Sequence, residues 1–211
     1  LYDKAKFLKF CESNNINVGK FKIVSNYESL FNEIKKNLKK KFILKPVKGS
    51  GTKNVFLLNN NSNKKINILE SRNCLELNFK MLKKMNIFEK KTKFILMPFY
   101  NGKMYDVDCI AHKGKIKEFS IRERECQNRF IFYSVGHRII KNSKIKKLIQ
   151  KFFSKLKFSG ICDFDLIKQN KNYFLLEASC RFSGSVGICT KSGLNFPAQM
   201  VRYLMQLKPL L

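Results

Sequence analysis

Apolar residues recur at helical spacing from the start of the chain. Phe7, Leu8 and Cys11 share a face over residues 3–15, and Asn14-Asn15 ends that helix before Ile16-Asn17-Val18. A second helix is predicted over 27–39, capped by Ser25 or Asn26, with Leu30, Phe31, Ile34 and Leu38 inward. Phe42-Ile43-Leu44-Lys45 and Val55-Phe56-Leu57-Leu58 read as short strands flanking a glycine-rich loop. A polar loop over 59–65 precedes an amphipathic helix predicted over 71–85 and a buried strand, Phe94-Ile95-Leu96-Met97, ended by Pro98.

After Asn101-Gly102 the pattern changes to strands. Residues 104–111 and 115–121 flank Lys113-Gly114 as a hairpin and begin an antiparallel sheet. Ile145, Leu148, Ile149, Phe152, Phe153 and Leu156 then form one helical stripe over 145–157. A strand pair follows at 161–167 and 173–178, and Asn195 caps a last helix with Pro197 in its first turn.

At 211 residues and 44% hydrophobic, the chain suits one domain or two joined lobes with a substantial core. No apolar run approaches the ~20 residues that span a bilayer, and Leu1-Tyr2-Asp3-Lys4 does not open a signal peptide. The seven cysteines are odd in number, scattered and without a C-x-x-C pair, which reads as reduced thiols in a cytoplasmic protein. A start without Met, inside a predicted helix, is expected of a fragment.

The 43 Lys+Arg against 15 Asp+Glu leave a net charge of +28, which attracts polyanions. Most of the excess is lysine, spread through every segment in runs such as Lys39-Lys40-Lys41, and accompanied by many Asn, Ile and Phe. Biased composition and a solvated lysine surface explain that pattern better than a nucleic-acid tract. The few acids are therefore informative.

With Lys171 centred in the turn between the last two strands, Asp165 falls opposite Glu177 and Asp163 opposite Ser179. Alternation puts all four on one face. Cross-strand carboxylates about 5 Å apart repel unless neutralised. Oxygen-only ligands favour Mg²⁺ or Mn²⁺, while ion pairs with lysines are the alternative. Arg181 and Phe182-Ser183-Gly184-Ser185 follow directly and suit an anionic ligand. Upstream, Gly49-Ser50-Gly51-Thr52 offers backbone N–H groups to phosphates, with Lys45 at the loop's base. The spacing is not that of a P-loop, and an ordinary hairpin also uses glycine.

In order along the chain, these residues resemble the ATP-grasp superfamily. The resemblance is carried by Asp3-Lys4, by Lys45-Pro46-Val47-Lys48-Gly49-Ser50-Gly51, and by Met97-Pro98-Phe99-Tyr100-Asn101-Gly102 through Tyr105-Asp106-Val107-Asp108. Gly160 with Asp165, Leu176-Glu177-Ala178-Ser179-Cys180-Arg181-Phe182-Ser183-Gly184-Ser185 and Ser192-Gly193-Leu194-Asn195-Phe196-Pro197 complete it. The closest flavour is the branch of the carbamoyl-phosphate synthase large subunit and small carboxylate–amine ligases.

The resemblance implies an α+β ATP-grasp fold, two lobes clasping ATP, with 1–97 bearing the flap and 98–211 the metal. It implies an ADP-forming ligase that activates a small-molecule carboxylate as an acyl phosphate for an amine, thiol or similar nucleophile. By the same carry-over, Lys4, Lys45, Gly49, Ser50 and Gly51 meet the phosphates, and Pro98, Phe99 and Tyr100 the adenine. Asp165, Glu177 and Ser179 ligate Mg²⁺ or Mn²⁺, and Arg181 is catalytic. Arg122, Arg124 and Arg129 are candidates for substrate or phosphate contact, or equally for surface ion pairs.

The chain departs from the family where Ser179 replaces a metal-binding Asn and where Met97 and Met104 replace acids near adenine and ribose; a start at the Asp-Lys segment adds the expectation that the family's substrate-side domain is absent. These departures motivate a second expectation, a nucleotide-binding module without catalysis. The charge alone motivates a third, a basic nucleic-acid-binding protein; a membrane partner is not expected, and homo-oligomerisation is left open.

Overall fold

The computed structural model describes residues 3–37, 40–49, 54–59, 67–68, 74–89, 91–125 and 136–206. Helix α1 (Lys4–Ser13) starts where the Asp3 side chain accepts the Lys6 N–H at 2.9 Å. Strand β1 (Lys22–Val24) leads to α2 (Tyr27–Lys35), which opens on a reciprocal cap between Asn26 and Ser29. Strands β2 (Phe42–Pro46), β3 (Val55–Leu58), β4 (Asn67–Ile68) and β5 (Cys74–Leu77) precede α3 (Phe79–Lys84) and β6 (Phe94–Pro98). Then come β7 (Met104–His112), β8 (Lys115–Glu125), β9 (Gly136–Ile140), α4 (Ser143–Leu156), β10 (Gly160–Gln169), β11 (Asn172–Ser179), α5 (Gly187–Lys191) and α6 (Phe196–Leu204).

The strands make two sheets, so the fold is α+β. One runs β1-β6-β2-β3-β5-β4, antiparallel except for the β3–β5 pair; the other runs β11-β10-β7-β8-β9 and is antiparallel throughout. The first sheet is covered on both faces. Phe94 and Leu96 of β6 pack with Leu30, Ile34 and Leu82 of α2 and α3, whereas Ile95 and Met97 join the core beneath α1 and α4. That larger core gathers Leu8, Cys11, Val107, Ile149, Phe152 and Phe164 against one face of the second sheet. The opposite face of the second sheet carries the polar residues described below.

The helix predicted over 71–85 is divided. Cys74–Leu77 extends the sheet as a parallel neighbour of β3, and Asn78 caps α3 by accepting the Met81 N–H. An Asn in mid-pattern is a start signal there, and pairing with β3 overrides helical periodicity. Helix α2 ends at Lys35, four residues before the predicted limit; Leu38 lies outside the described residues. Leu156, assigned to the inner stripe of α4, is 38% exposed because the helix ends there in a left-handed Lys157. Strands β1 and β9 and helix α5 are too short to leave a periodic signature. Among the described residues no helix is long and apolar enough to cross a membrane.

Candidate active site

Asp165 of β10 pairs with Glu177 of β11, and Asp163 with Ser179, in the expected register. The expected turn is not what produces it. The strands close on Gln169 opposite Asn172, one step out of phase with the Asp165–Glu177 pair. A bulge between Asp165 and Leu166 restores the phase: the register steps from Glu177 to Leu175 and skips Leu176. Leu175 and Ala178 both point into the core as a result, while Phe174 and Glu177 share the polar face.

The skipped Leu176 carbonyl accepts a hydrogen bond from the Lys45 ammonium at 3.0 Å. Lys45 thus reaches from the base of the flap to the acidic hairpin. Burial lowers its pKa, opposed by Glu177 and Asp165 and reinforced by Lys4. Lys4 is also buried. Its ammonium donates to the Gly49 carbonyl at 2.5 Å and lies 3.4 Å from the Glu177 carboxylate. The start of α1 is tied to the same loop by the Lys4 N–H on the Val47 carbonyl, 3.0 Å. Gly49 holds φ +133°, a region open to glycine. Ser50 and Gly51 lie outside the described residues, as does Arg129.

The central strand β7 adds acids to this face. Asp106 pairs with Asp165 and Asp108 with Asp163. Asp106, Asp163 and Asp165 each offer a carboxylate oxygen within 4.8 Å of the others. Arg124 of β8 bridges two of them, donating to Asp106 through Nε at 3.0 Å and to Asp165 at 2.6 Å. Burial alone would raise Asp106, but hydrogen bonds from Arg124 outweigh it and hold the carboxyl below its ordinary value. Asp165 moves up to about 6: burial, Asp106 and Glu177 together exceed the pull of Arg124. Asp163 rises further, to about 8, through burial and its three acidic neighbours, against a weak opposing effect of Arg181. Its Oδ1 is buried and, among the described residues, has no hydrogen-bond partner.

Arg181 is 60% exposed, with Nη1 donating to the Phe182 carbonyl at 2.9 Å and lying 3.8 Å from Asp163. Arg122, a candidate for substrate contact, is instead fully buried and paired with Asp108. At the other end of the face, the Phe99 N–H donates to the Lys41 carbonyl at 2.9 Å, fastening the 98–100 segment to the first sheet. The Tyr100 ring stacks on Phe174, centroids 5.6 Å apart and planes 15° from parallel, and its hydroxyl accepts the Lys20 N–H.

Sequence reasoning placed Asp106 and Asp108 in the adenine hinge and missed their place beside the acidic hairpin. The available signal was two acids spaced by two on one arm of the 113–114 hairpin and two arginines, Arg122 and Arg124, spaced by two on the other. The contact of β7 with β10 is long-range and has no local signal.

A clasp of this kind, with a lysine-bearing glycine loop set against an acidic antiparallel hairpin, defines the ATP-grasp class. The chain belongs to this family: residues 90–209 match the family model described as ATP-grasp in the biosynthetic pathway with Ter operon. No curated protein matches the chain in sequence. Among solved structures, an L-amino acid ligase from Bacillus licheniformis is similar over 99% of this chain and 48% of its own, at 18% identity and TM-score 0.69. The ADP complex of the N5-carboxyaminoimidazole ribonucleotide synthetase PurK is similar over 99% and 52%, at 18% and 0.70. An ATP complex of D-alanine–D-alanine ligase from Bacillus anthracis is similar over 97% and 65%, at 15% identity and 0.65. The chain spans about half the length of the first two.

Proposed function

We propose that this chain is the nucleotide-clasping part of an ATP- and Mg²⁺-dependent ligase that activates a carboxylate as an acyl phosphate. The observation that carries the reading is Asp165 directly opposite Glu177, with the ammonium groups of Lys4 and Lys45 on the same hairpin. The nucleotide-bound relatives above support it as proteins of the same fold.

The donor set fits a hard divalent cation. Asp165, Glu177 and Ser179 present oxygen alone, the carboxylates that converge within 4.8 Å are Asp106, Asp163 and Asp165, and among the described residues Asp163 keeps one buried oxygen without a partner. When bound, such a cation neutralises phosphate oxygens and draws charge from the breaking bond. The chain's own groups do the rest. Lys4 and Lys45 hold the phosphates from the flap side, beside the start of the glycine loop at Gly49. Pro98, Phe99 and Tyr100 present backbone to adenine, and the stacked Tyr100–Phe174 pair supplies a flat apolar wall. The segment near Pro98 divides the small lobe from the metal-bearing one.

In the first step a carboxylate oxygen of the substrate attacks the γ-phosphorus, the bond to the bridging oxygen breaks, and ADP leaves. Arg181 offsets charge on the transferring group. In the second, an amine or similar nucleophile attacks the acyl carbon, the bond to phosphate breaks, and inorganic phosphate leaves with the nucleophile's proton given to solvent.

A second reading, a nucleotide-binding module without turnover, draws on Arg124, whose hydrogen bond occupies an Asp165 oxygen. One experiment separates the two. The protein is mixed with MgATP, a pool of amino acids as carboxylates, and hydroxylamine as the trapping nucleophile. The ligase reading predicts ADP and hydroxamate in equal amounts, both lost in Glu177→Ala. An MgADP-induced rise in melting temperature without hydroxamate selects the module, and full turnover by Glu177→Ala refutes the metal assignment.

A further inference from the structure

A second ion pair lies on the polar sheet face one step beyond Asp106 and Arg124. Arg122 of β8 and Asp108 of β7 are both fully buried and contact each other through Nη1 and Oδ2. Asp108 accepts the Ser183 N–H on Oδ1 and the Ser183 hydroxyl on Oδ2, both at 2.9 Å. Arg122 donates to the same hydroxyl at 2.7 Å and to Cys189 Sγ at 3.0 Å. Ser183 is buried, and its hydroxyl is used as donor and acceptor at once.

We infer that Arg122 and Asp108 are positioning residues: their buried pair tethers the 180–186 turn through Ser183 and thereby sets Arg181 at the phosphoryl end of the site. Arg181 lies two residues before Ser183 and is mostly exposed; among the described residues its guanidinium meets the neighbouring Phe182 carbonyl and, loosely at 3.8 Å, Asp163. Such a side chain owes its placement to its backbone. The following helices have a second anchor besides this pair, whose Arg122 reaches Cys189 of α5. Cys189 and Phe196 already pack with Ile110 in an apolar cluster that includes Phe182 and Leu194.

Two charges buried where apolar residues would fill the space carry a desolvation cost, and among the described residues the Arg122 Nε has no partner. Hydrogen bonds of fixed direction provide in return a turn held in one conformation. Misplacement of a reacting group by about 1 Å slows chemistry far more than it weakens binding.

The role given to Arg181 rests on the ligase reading, so the test has an arm independent of it. Ser183→Ala removes the bridging hydroxyl but keeps the backbone N–H on Asp108, and Ser183→Thr restores a hydroxyl. In Ser183→Ala, hydrogen exchange rises at amides 180–186 and not in β10 or β11. Hydroxamate formation falls about tenfold in kcat, with KM for ATP within about twofold, and Ser183→Thr recovers most of the loss. Because the effect passes through Arg181, the double variant with Arg181→Ala is no slower than Arg181→Ala alone. Unchanged exchange at 180–186, or additive losses in the double variant, overturns the inference. If the wild-type chain forms no hydroxamate, the ligase reading fails instead, and exchange in Ser183→Ala alone decides whether the tether exists.

Discussion

Lys45 donates to the carbonyl of Leu176 at 3.0 Å, and Leu176 is the residue that the pairing of β10 with β11 skips. A bulge frees a carbonyl from its ladder, and here that oxygen fastens β2 to the acidic hairpin. The same bulge reverses the alternation, so that Glu177 faces Asp165 while Leu175 enters the core. Replacing Lys45 by Met removes the ammonium but keeps the apolar stem. The expected result is a KM for ATP raised about 10- to 100-fold with the fold intact by circular dichroism.

Arg124 is the counter-ion of Asp106 and Asp165. Arg124→Met leaves both carboxylates facing Asp163 without it, at a cost of about 3 kcal/mol. With the proposed metal role, a divalent cation would replace the lost charge. Adding Mg²⁺ or Mn²⁺ therefore raises the melting temperature of Arg124→Met more than that of the wild type, as calorimetry can measure.

Asp163 gives the pH dependence. Its folded-state pKa is raised to about 8, so in the metal-free protein the folded chain retains a proton that the unfolded chain releases from about pH 4 upward. Stability from this group is full below the unfolded value and is lost as pH rises through the folded one. Asp163→Asn, measured in EDTA, thus gains melting temperature over wild type progressively between about pH 4 and 8, with no further gain above.

Gly102 meets β10 at close quarters: a Cβ placed there would lie 1.6 Å from the Lys168 carbonyl oxygen. That oxygen belongs to backbone held by the Lys168 N–H on the Lys103 carbonyl, so it cannot yield. Gly102→Ala is expected to destabilise by about 3 kcal/mol in chemical denaturation.

The part of this site written in local pattern was legible. Asp165 and Glu177 alternate with core residues, Asn26 and Asn195 precede their helices, and Gly49 marks a turn after a lysine. The turn at Asn170-Lys171 was misplaced by one residue, and Asp165 still met Glu177 because the bulge, invisible in sequence, compensated. Asp106 was missed beside Asp165 because strand pairing across sixty residues is decided by the assembled core, whereas Arg124, a candidate for phosphate contact or an ion pair, is an ion pair. Cys74–Leu77 read as helix for the same reason: its preference is settled by β3 beside it.

The central claim is that Asp165 and Glu177 jointly hold a divalent cation with the nucleotide. Electron paramagnetic resonance of Mn²⁺ titrated into the protein with ADP, in wild type and in Glu177→Gln, tests it most directly. The account predicts saturable binding that weakens at least tenfold in the variant, with the melting temperature little changed. Equal Mn²⁺ affinity in the two proteins would contradict it.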